Sequence, residues 1–220
     1  MNHSENFVTK ILNKFPLSKN SIIFDIGANR GIHTKTMSYR AQHVYAFEPA
    51  PENINVLKTN NETNITIIPK AVGNKSGKSK LYLHHLYCDM HTTQQRSAEI
   101  EEWGHSLDKF IDIDMVTIDD FIKEYNLKNV DLIKIDVEGA EEDVFRGGKE
   151  TFSKMKPAVI VEIHSNVDVN WIYHFFTQMN YKFIDTSLYT VNKLRIDQHY
   201  LIIDKSLNLG HELQARLNLA

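Results

Sequence analysis

The feature that most constrains this chain is a compact apolar run, residues 21–26 (SIIFDI), that closes on Gly27-Ala28-Asn29-Arg30-Gly31 and leads into a helical pattern over 32–40. An apolar run without polar alternation suits a strand buried on both faces, the kind found in parallel sheets. The two glycines let the main chain turn sharply and leave room for a ligand against the backbone. The unit then repeats: a second run, 44–47, ends at Glu48-Pro49, and a helix is expected at 51–60 with Pro51 tolerated in its first turn. Further strands are expected at 65–68, 130–137, 157–163, 181–184 and 200–203. Helical spacing recurs at Phe7, Ile11, Leu12 and Phe15 before Pro16, and at Trp171, Ile172, Phe175, Phe176 and Met179. Thr117 followed by Asp120 resembles a helix cap ahead of Phe121, Ile122 and Tyr125. A further helix is expected at 140–145, broken by Gly147-Gly148 and continued as an amphipathic piece to Lys156. Alternating strands and helices imply an α/β fold with parallel order and right-handed crossovers. The last two strands lack a helix-length pattern between them, so the final one is expected to insert antiparallel.

With 220 residues the chain is expected to form a single domain over 1–220: a leading helix in 1–20, an irregular elaboration at 81–115 and a tail at 205–220. Leu209, Leu213, Leu217 and Leu219 give that tail an amphipathic pattern suited to docking on the domain or on a second subunit, the latter giving a homo-oligomer. A formal net charge of −3 lacks the positive excess that draws a whole protein onto nucleic acid or anionic lipid. No apolar stretch approaches the ~20 residues of a membrane-spanning helix, and residues 1–10 lack the apolar core of a secretory signal. Cys88 is the single cysteine, so no internal disulfide can form. These observations point to a soluble cytoplasmic protein with neither a nucleic-acid nor a membrane partner.

The chemistry sits at the strand ends. The Gly27-to-Gly31 spacing is Gly-x-x-x-Gly, unlike the Gly-x-Gly-x-x-Gly of dinucleotide folds, and Asp25 just ahead of it suits an ammonium better than a pyrophosphate. Glu48, at the end of the second strand, is placed to accept both hydroxyls of a ribose. Each feature alone also describes an ordinary turn or a surface acid. Together they describe a ligand with an amino group at one end and a ribose at the other, and S-adenosylmethionine is the common cofactor that fits.

Five runs carry a resemblance: FDIGANRGIHT (24–34), VYAFEPAPENINVLKTN (44–60), VTIDDFI (116–122), LIKIDVEGAEEDVFRGG (132–148) and PAVIVEIH (157–164). In this order they closely resemble the FkbM family of S-adenosylmethionine-dependent methyltransferases. The resemblance implies a class I methyltransferase fold, a Rossmann-like three-layer sandwich around a mostly parallel seven-stranded sheet with an antiparallel last strand. It also implies O-methylation of a small hydroxyl-bearing acceptor such as a saccharide or secondary metabolite. Asp25, Gly27, Ala28, Asn29 and Gly31 would then line the methionine part of the cofactor, Glu48 and Pro49 the ribose, and Ala71 and Val72 the adenine, with Asp136 also on the cofactor side. Around His91-Thr92-Thr93, where many relatives carry a serine-containing segment near the substrate, this chain departs from the pattern.

Transfer to an aliphatic hydroxyl needs a destination for its proton. Asp136, Glu138 and His164, at the ends of the fourth and fifth expected strands, are the candidates: Asp136 or His164 to take the proton and Glu138 to orient the substrate. His91, Thr92 and Glu141 are candidates for the acceptor side. Strand alternation suggests a buried Lys134–Glu162 pair, and Glu141, Glu142 and Asp143 read as a solvated helix start favoured by the helix dipole. His84, His85, Cys88, Asp89 and His91 are metal-ligand types whose string fits no familiar zinc spacing, so no metal is assigned. A substrate-facing wall and an ordinary polar loop are the other readings of that string. Trp103, Tyr87, Phe110 and His105 are candidates to line an acceptor pocket or to pack the elaboration onto the sheet. Asp136-Val137-Glu138-Gly139 lacks the Asp/Asn-Pro-Pro-aromatic turn of base-amine methyltransferases. An NAD-type oxidoreductase and a non-catalytic binding module are the alternative readings; Asp25 with the glycine spacing opposes the first, and the retained Asp25, Glu48 and Asp136 oppose the second.

Overall fold

The computed structural model describes residues 3–84, 91–94 and 105–207. Its helices are α1 (His3–Lys14), α2 (Ile32–Ser38), α3 (Pro51–Leu57), α4 (Ile118–Glu124), α5 (Glu141–Gly147), α6 (Lys149–Lys154) and α7 (Val169–Gln178). The strands are β1 (Ile22–Ile26), β2 (His43–Phe47), β3 (Ile65–Ile68), β4 (Ala71–Val72), β5 (Gly77–His84), β6 (His105–Val116), β7 (Leu132–Ile135), β8 (Ala158–Ile163), β9 (Tyr181–Ile184), β10 (Thr190–Val191) and β11 (Gln198–Asp204).

The main sheet runs β10-β9-β11-β8-β7-β1-β2-β3. β1, β2, β3, β7 and β8 pair in parallel, and β11 is antiparallel to both of its neighbours, β8 and β9. The expected antiparallel insertion of the last long strand is thus present. The sheet has eight strands where seven were expected, because the short β10 adds to the outer edge of β9.

Both faces of the sheet are covered, which is why its strands read as continuous apolar runs. Ile23, Val44, Leu132 and Ile160 face one way and pack with Phe7, Ile11, Leu12 and Met37 of α1 and α2. Their neighbours Phe24, Ile133, Val159 and Val161 face the other way, onto Phe121, Phe145, Phe152 and Phe176 from α4 to α7. Alternation within one apolar run therefore divides two cores. The Arg40 guanidinium donates to the Leu12 and Phe15 carbonyls and secures the end of α1 where Pro16 stops it. Thr117 caps α4 as expected, its Oγ1 accepting from the Asp120 N–H at 3.0 Å.

Of residues 81–115, those at 81–84 and 105–115 belong to a second, three-stranded sheet, β4-β6-β5. β5 and β6 form an antiparallel ribbon beginning at Gly77, with Leu81, Ile113 and Met115 clustered on Ala50 and Ala71. Its mixed polarity hid it: Lys78, Lys80, Asp112 and Asp114 alternate with those apolar residues, as on a sheet with one wet face. Thr92 bridges to this ribbon through reciprocal backbone hydrogen bonds with Tyr82. Phe110 lies against Tyr82 and under the Lys80 ammonium and stays 38% exposed. Tyr87, Trp103 and the His85, Cys88 and Asp89 part of the histidine string lie outside the described residues, as does the tail beyond 207. Among the described residues no helix is long and apolar enough to cross a membrane.

Candidate active site

Strand order reverses between β1 and β7: the chain moves from β1 outward to β2 and β3, then returns to place β7 on the other side of β1. Ligands of open α/β sheets bind at the carboxyl ends of strands beside such a switch point. Here two turns meet there.

The first follows β1. Gly27, Asn29 and Gly31 all have positive φ, at 75°, 51° and 86°. A Cβ on Gly27 would lie 1.8 Å from the Asp136 carbonyl oxygen, so only glycine lets this turn press against the end of β7. One on Gly31 would lie 2.3 Å from Leu57 Cδ1. Glu48, 5% exposed, accepts from the Asn29 N–H through Oε2 at 2.8 Å and from the Ala50 N–H through Oε1 at 2.9 Å. Burial raises its pKa, while those backbone donors and Asn53 oppose the rise. With the two backbone N–H groups and the Asn53 side chain already bonded to it, the carboxylate keeps about one of its roughly four lone-pair sites for a ligand hydroxyl. Asn29 Oδ1 is buried without a hydrogen-bond partner, an acceptor in the turn that a ligand donor satisfies. Pro49 is half-buried beside Glu48, and Ala28, Ala71 and Val72 are buried.

Asp25 does not face the crevice. It is fully buried, accepts from Thr34 Oγ1 at 2.6 Å and lies 3.4 Å from Lys134 Nζ. The reading of Asp25 as a direct partner of a ligand ammonium is corrected by this: its charge is committed beneath the turn. The expected Lys134–Glu162 pair is also absent. Lys134 stands opposite Asp25 in the β1–β7 register, donates to the Gly27 carbonyl at 3.0 Å and lies 3.4 Å from Asp136 Oδ2. Glu162 is opposite His199 in the β8–β11 register and lies 3.3 Å from its Nε2. Lys134 therefore braces the first turn and the second together. Burial would lower its pKa, but Asp25 and Asp136 outweigh that and raise it.

The second turn follows β7, which ends at Ile135, so Asp136 and Val137 leave the strand earlier than the apolar run suggests. Glu138 and Gly139 both take positive φ, 53° and 93°, and the Thr92 hydroxyl clamps the Glu138 carbonyl at 2.7 Å. This turn aims Glu138 at His164, just past β8. His164 Nε2 lies 3.4 Å from Glu138 Oε2 and 4.0 Å from Asp136 Oδ1, while Nδ1 lies 2.8 Å from Glu141 Oε1. Glu141 is fully buried, which corrects its reading as part of a solvated helix start; Glu142 and Asp143 remain partly exposed. Burial alone would lower the His164 pKa, but Glu141, Glu138 and Asp136 push it up to about 10. Burial raises Glu138 to about 8, with Asp136 and Glu162 adding to the rise and His164 opposing it. Burial also works to raise Asp136, yet Lys134 and His164 hold it below the usual carboxylate range.

Asp136, Glu138 and His164 are thus brought together, with Thr92 and Glu141 against them and the Gly27 turn alongside. His91 is farther out, 2.7 Å from Glu52 on α3. Two contributors were missed by sequence reasoning. Gln94 and Asn74 grip the two oxygens of Asp143 and so tie residues 91–94 to α5. Lys134 pairs with Asp25 of β1 and not with β8, because β1 and β7 are neighbours in the sheet although far apart in the chain.

Residues 25–185 match the FkbM methyltransferase domain. The chain belongs to the FkbM methyltransferase family. Among its relatives is Methyltransferase 1 of Beauveria bassiana, 30% identical over 190 residues, with 73% of this chain and 72% of the relative aligned. The hexuronic acid methyltransferase AglP of Haloferax volcanii is 27% identical, over 68% of this chain and 59% of that one. The fold matches an FkbM methyltransferase structure from Methylobacillus flagellatus KT with a TM-score of 0.59 at 17% identity, covering 88% of this chain and 47% of that one. The present chain therefore spans about half the length of that structure. As an FkbM methyltransferase, it places its glycine turn and carboxylate cluster where the class I sheet reverses direction.

Proposed function

We propose that this chain is an S-adenosylmethionine-dependent O-methyltransferase acting on a small hydroxylated acceptor such as a saccharide or secondary metabolite. The observation that carries this reading is the contact between the two turns: Gly27 presses on the Asp136 carbonyl, and the Asp136 N–H donates to Ile26 at 3.1 Å. A cofactor cradle and a proton-handling cluster are thereby side by side. Two relatives support the choice of acceptor by their names, the hexuronic acid methyltransferase AglP and the 2-O-methyltransferase NoeI of Sinorhizobium fredii, the latter 27% identical over 61% of this chain.

The residues present fit the cofactor: the side-chain-free turn at Gly27 and Gly31, the Asn29 Oδ1 that has no hydrogen-bond partner among the described residues, and the remaining acceptor capacity of Glu48 for a ribose hydroxyl. Ala71 and Val72 border the adenine in this reading. When bound, S-adenosylmethionine supplies a sulfonium methyl, whose C–S bond breaks as the O–C bond forms and whose leaving group is neutral S-adenosylhomocysteine. The chain's own residues do the rest. Asp136, Glu138 and His164 hold the acceptor hydroxyl and take charge of its proton, and Thr92 fixes the turn that carries Glu138. Lys134 keeps Asp136 ionised and in place.

The test is transfer of labelled methyl from S-adenosylmethionine to a panel of neutral saccharides, uronic acids and polyhydroxylated metabolites, with the product linkage read by mass spectrometry. Methyl ethers that disappear in Asp136→Asn and Glu138→Gln support the reading. N- or C-methyl products, or undiminished turnover in both variants, sink it.

A further inference from the structure

Asp136, Glu138 and His164 each offer one ligand atom, and these atoms lie within 4.8 Å of one another. A cation set among donors at the observed 3.4 and 4.0 Å separations reaches all three at the ~2.0–2.6 Å typical of Mg2+ and Ca2+. Two further observations point the same way. The His164 ring is oriented by Glu141, whose Oε1 takes Nδ1 and leaves Nε2 turned toward the two carboxylates. A carboxylate behind the imidazole is the arrangement that fixes tautomer and direction in metal-ligating histidines. Glu141 is fully buried, and its Oε2 has no hydrogen-bond partner among the described residues. The charge balance is also one-sided. Among the described residues, the ion pairs around this cluster join Asp136, Glu138 and Glu141 to His164, and Asp136 and Asp25 to Lys134, so carboxylates outnumber the basic groups they share.

We propose that Asp136, Glu138 and His164 form a binding site for a divalent cation of the Mg2+ or Mn2+ kind. This rests on the methyltransferase reading only for its purpose and not for its existence. The two carboxylate oxygens suit a hard cation while the imidazole nitrogen favours Mn2+ over Mg2+, and three protein ligands leave positions for water or for the acceptor's oxygens. A cation there would give the acceptor hydroxyl a Lewis acid, so that its proton passes to solvent water at lower cost while the three side chains serve as ligands, and would favour acceptors that chelate through two neighbouring oxygens. Glu141 is then a positioning residue, touching the ligand and not the cation.

The experiment uses the full chain stripped with a chelator, titrated with Mn2+ while the free-ion resonance is followed by electron paramagnetic resonance, and with Mg2+ as competitor. One site per chain is expected, weakened at least tenfold in Glu138→Gln and His164→Gln and about 10–100-fold in Glu141→Gln. Far-ultraviolet circular dichroism checks that each variant is folded, and Glu142→Gln on the partly exposed side of α5 serves as a control expected to bind like the wild type. A free-ion signal undiminished up to about 1 mM, the weak end of carboxylate sites, overturns the proposal. So does binding that survives in both Glu138→Gln and His164→Gln. Calorimetry with S-adenosylhomocysteine in the presence of chelator separates the two readings. Cofactor binding without Mn2+ binding removes the cation and leaves the methyltransferase, and the reverse removes the methyltransferase and leaves the cation.

Discussion

The two turns at the switch point are built by opposite means. After β1 the chain makes its proposed cofactor cradle by leaving atoms out: Gly27 and Gly31 have no side chains, and Glu48 is held by backbone N–H groups. After β7 it crowds charge in, with Asp136, Glu138 and Glu141 all within 4.0 Å of His164. The first kind fails when something is added. The second fails when one charge is removed, because its partners are left buried and uncompensated.

That contrast orders the predictions. The largest effect is expected at Lys134, the group shared by both turns. Lys134→Met strands Asp25 in a fully buried site and is expected to cost about 3–5 kcal/mol in denaturant unfolding. Adding Asp25→Asn to that variant should recover part of the loss. If the double variant is no more stable than the single one, Lys134 is not acting through Asp25. Next is Gly27→Ala, whose methyl meets a backbone oxygen rather than a yielding side chain, at positive φ. About 3 kcal/mol is expected, together with loss of cofactor binding. The comparison position is Gly77, also at positive φ but with nothing within 4 Å of its Cβ direction. Gly77→Ala is expected to cost about 1 kcal/mol in thermal unfolding and to leave cofactor binding unchanged. Equal costs at the two glycines would show that strain alone, and not close approach, matters at Gly27. The smallest effect belongs to the exposed Arg146–Glu142 pair on α5, where Arg146→Ala is expected to change stability by about 0.5 kcal/mol or less in denaturant unfolding.

What could be read from the sequence divides along the same line. The glycine turn, Glu48 and the order of the inner strands are local signals, legible because glycine spacing and apolar runs carry their meaning within a few residues. The partners of Lys134 are set by which strands are neighbours and in what register, and that is a property of the folded sheet. Side-chain alternation placed Lys134 and Asp136 together correctly, but β1 rather than β8 supplied the third member. Glu141 misled for a similar reason. In sequence it is one of three acids at a helix start, and only the packing of α5 against β8 shows that it lies under His164 while Glu142 and Asp143 stay near the surface. The β5–β6 ribbon escaped notice because one of its faces is wet, so it lacks the continuous apolar run that marks the inner strands.

The most direct test of the account is calorimetric titration of the full chain with S-adenosylhomocysteine and, separately, with NAD, in the wild type and in Glu48→Gln. The cradle described here predicts stoichiometric binding of S-adenosylhomocysteine, a loss of about tenfold or more in Glu48→Gln from the missing ribose acceptor, and no heat with NAD. Binding of NAD in preference to S-adenosylhomocysteine, or equal binding of S-adenosylhomocysteine by wild type and Glu48→Gln, would contradict it.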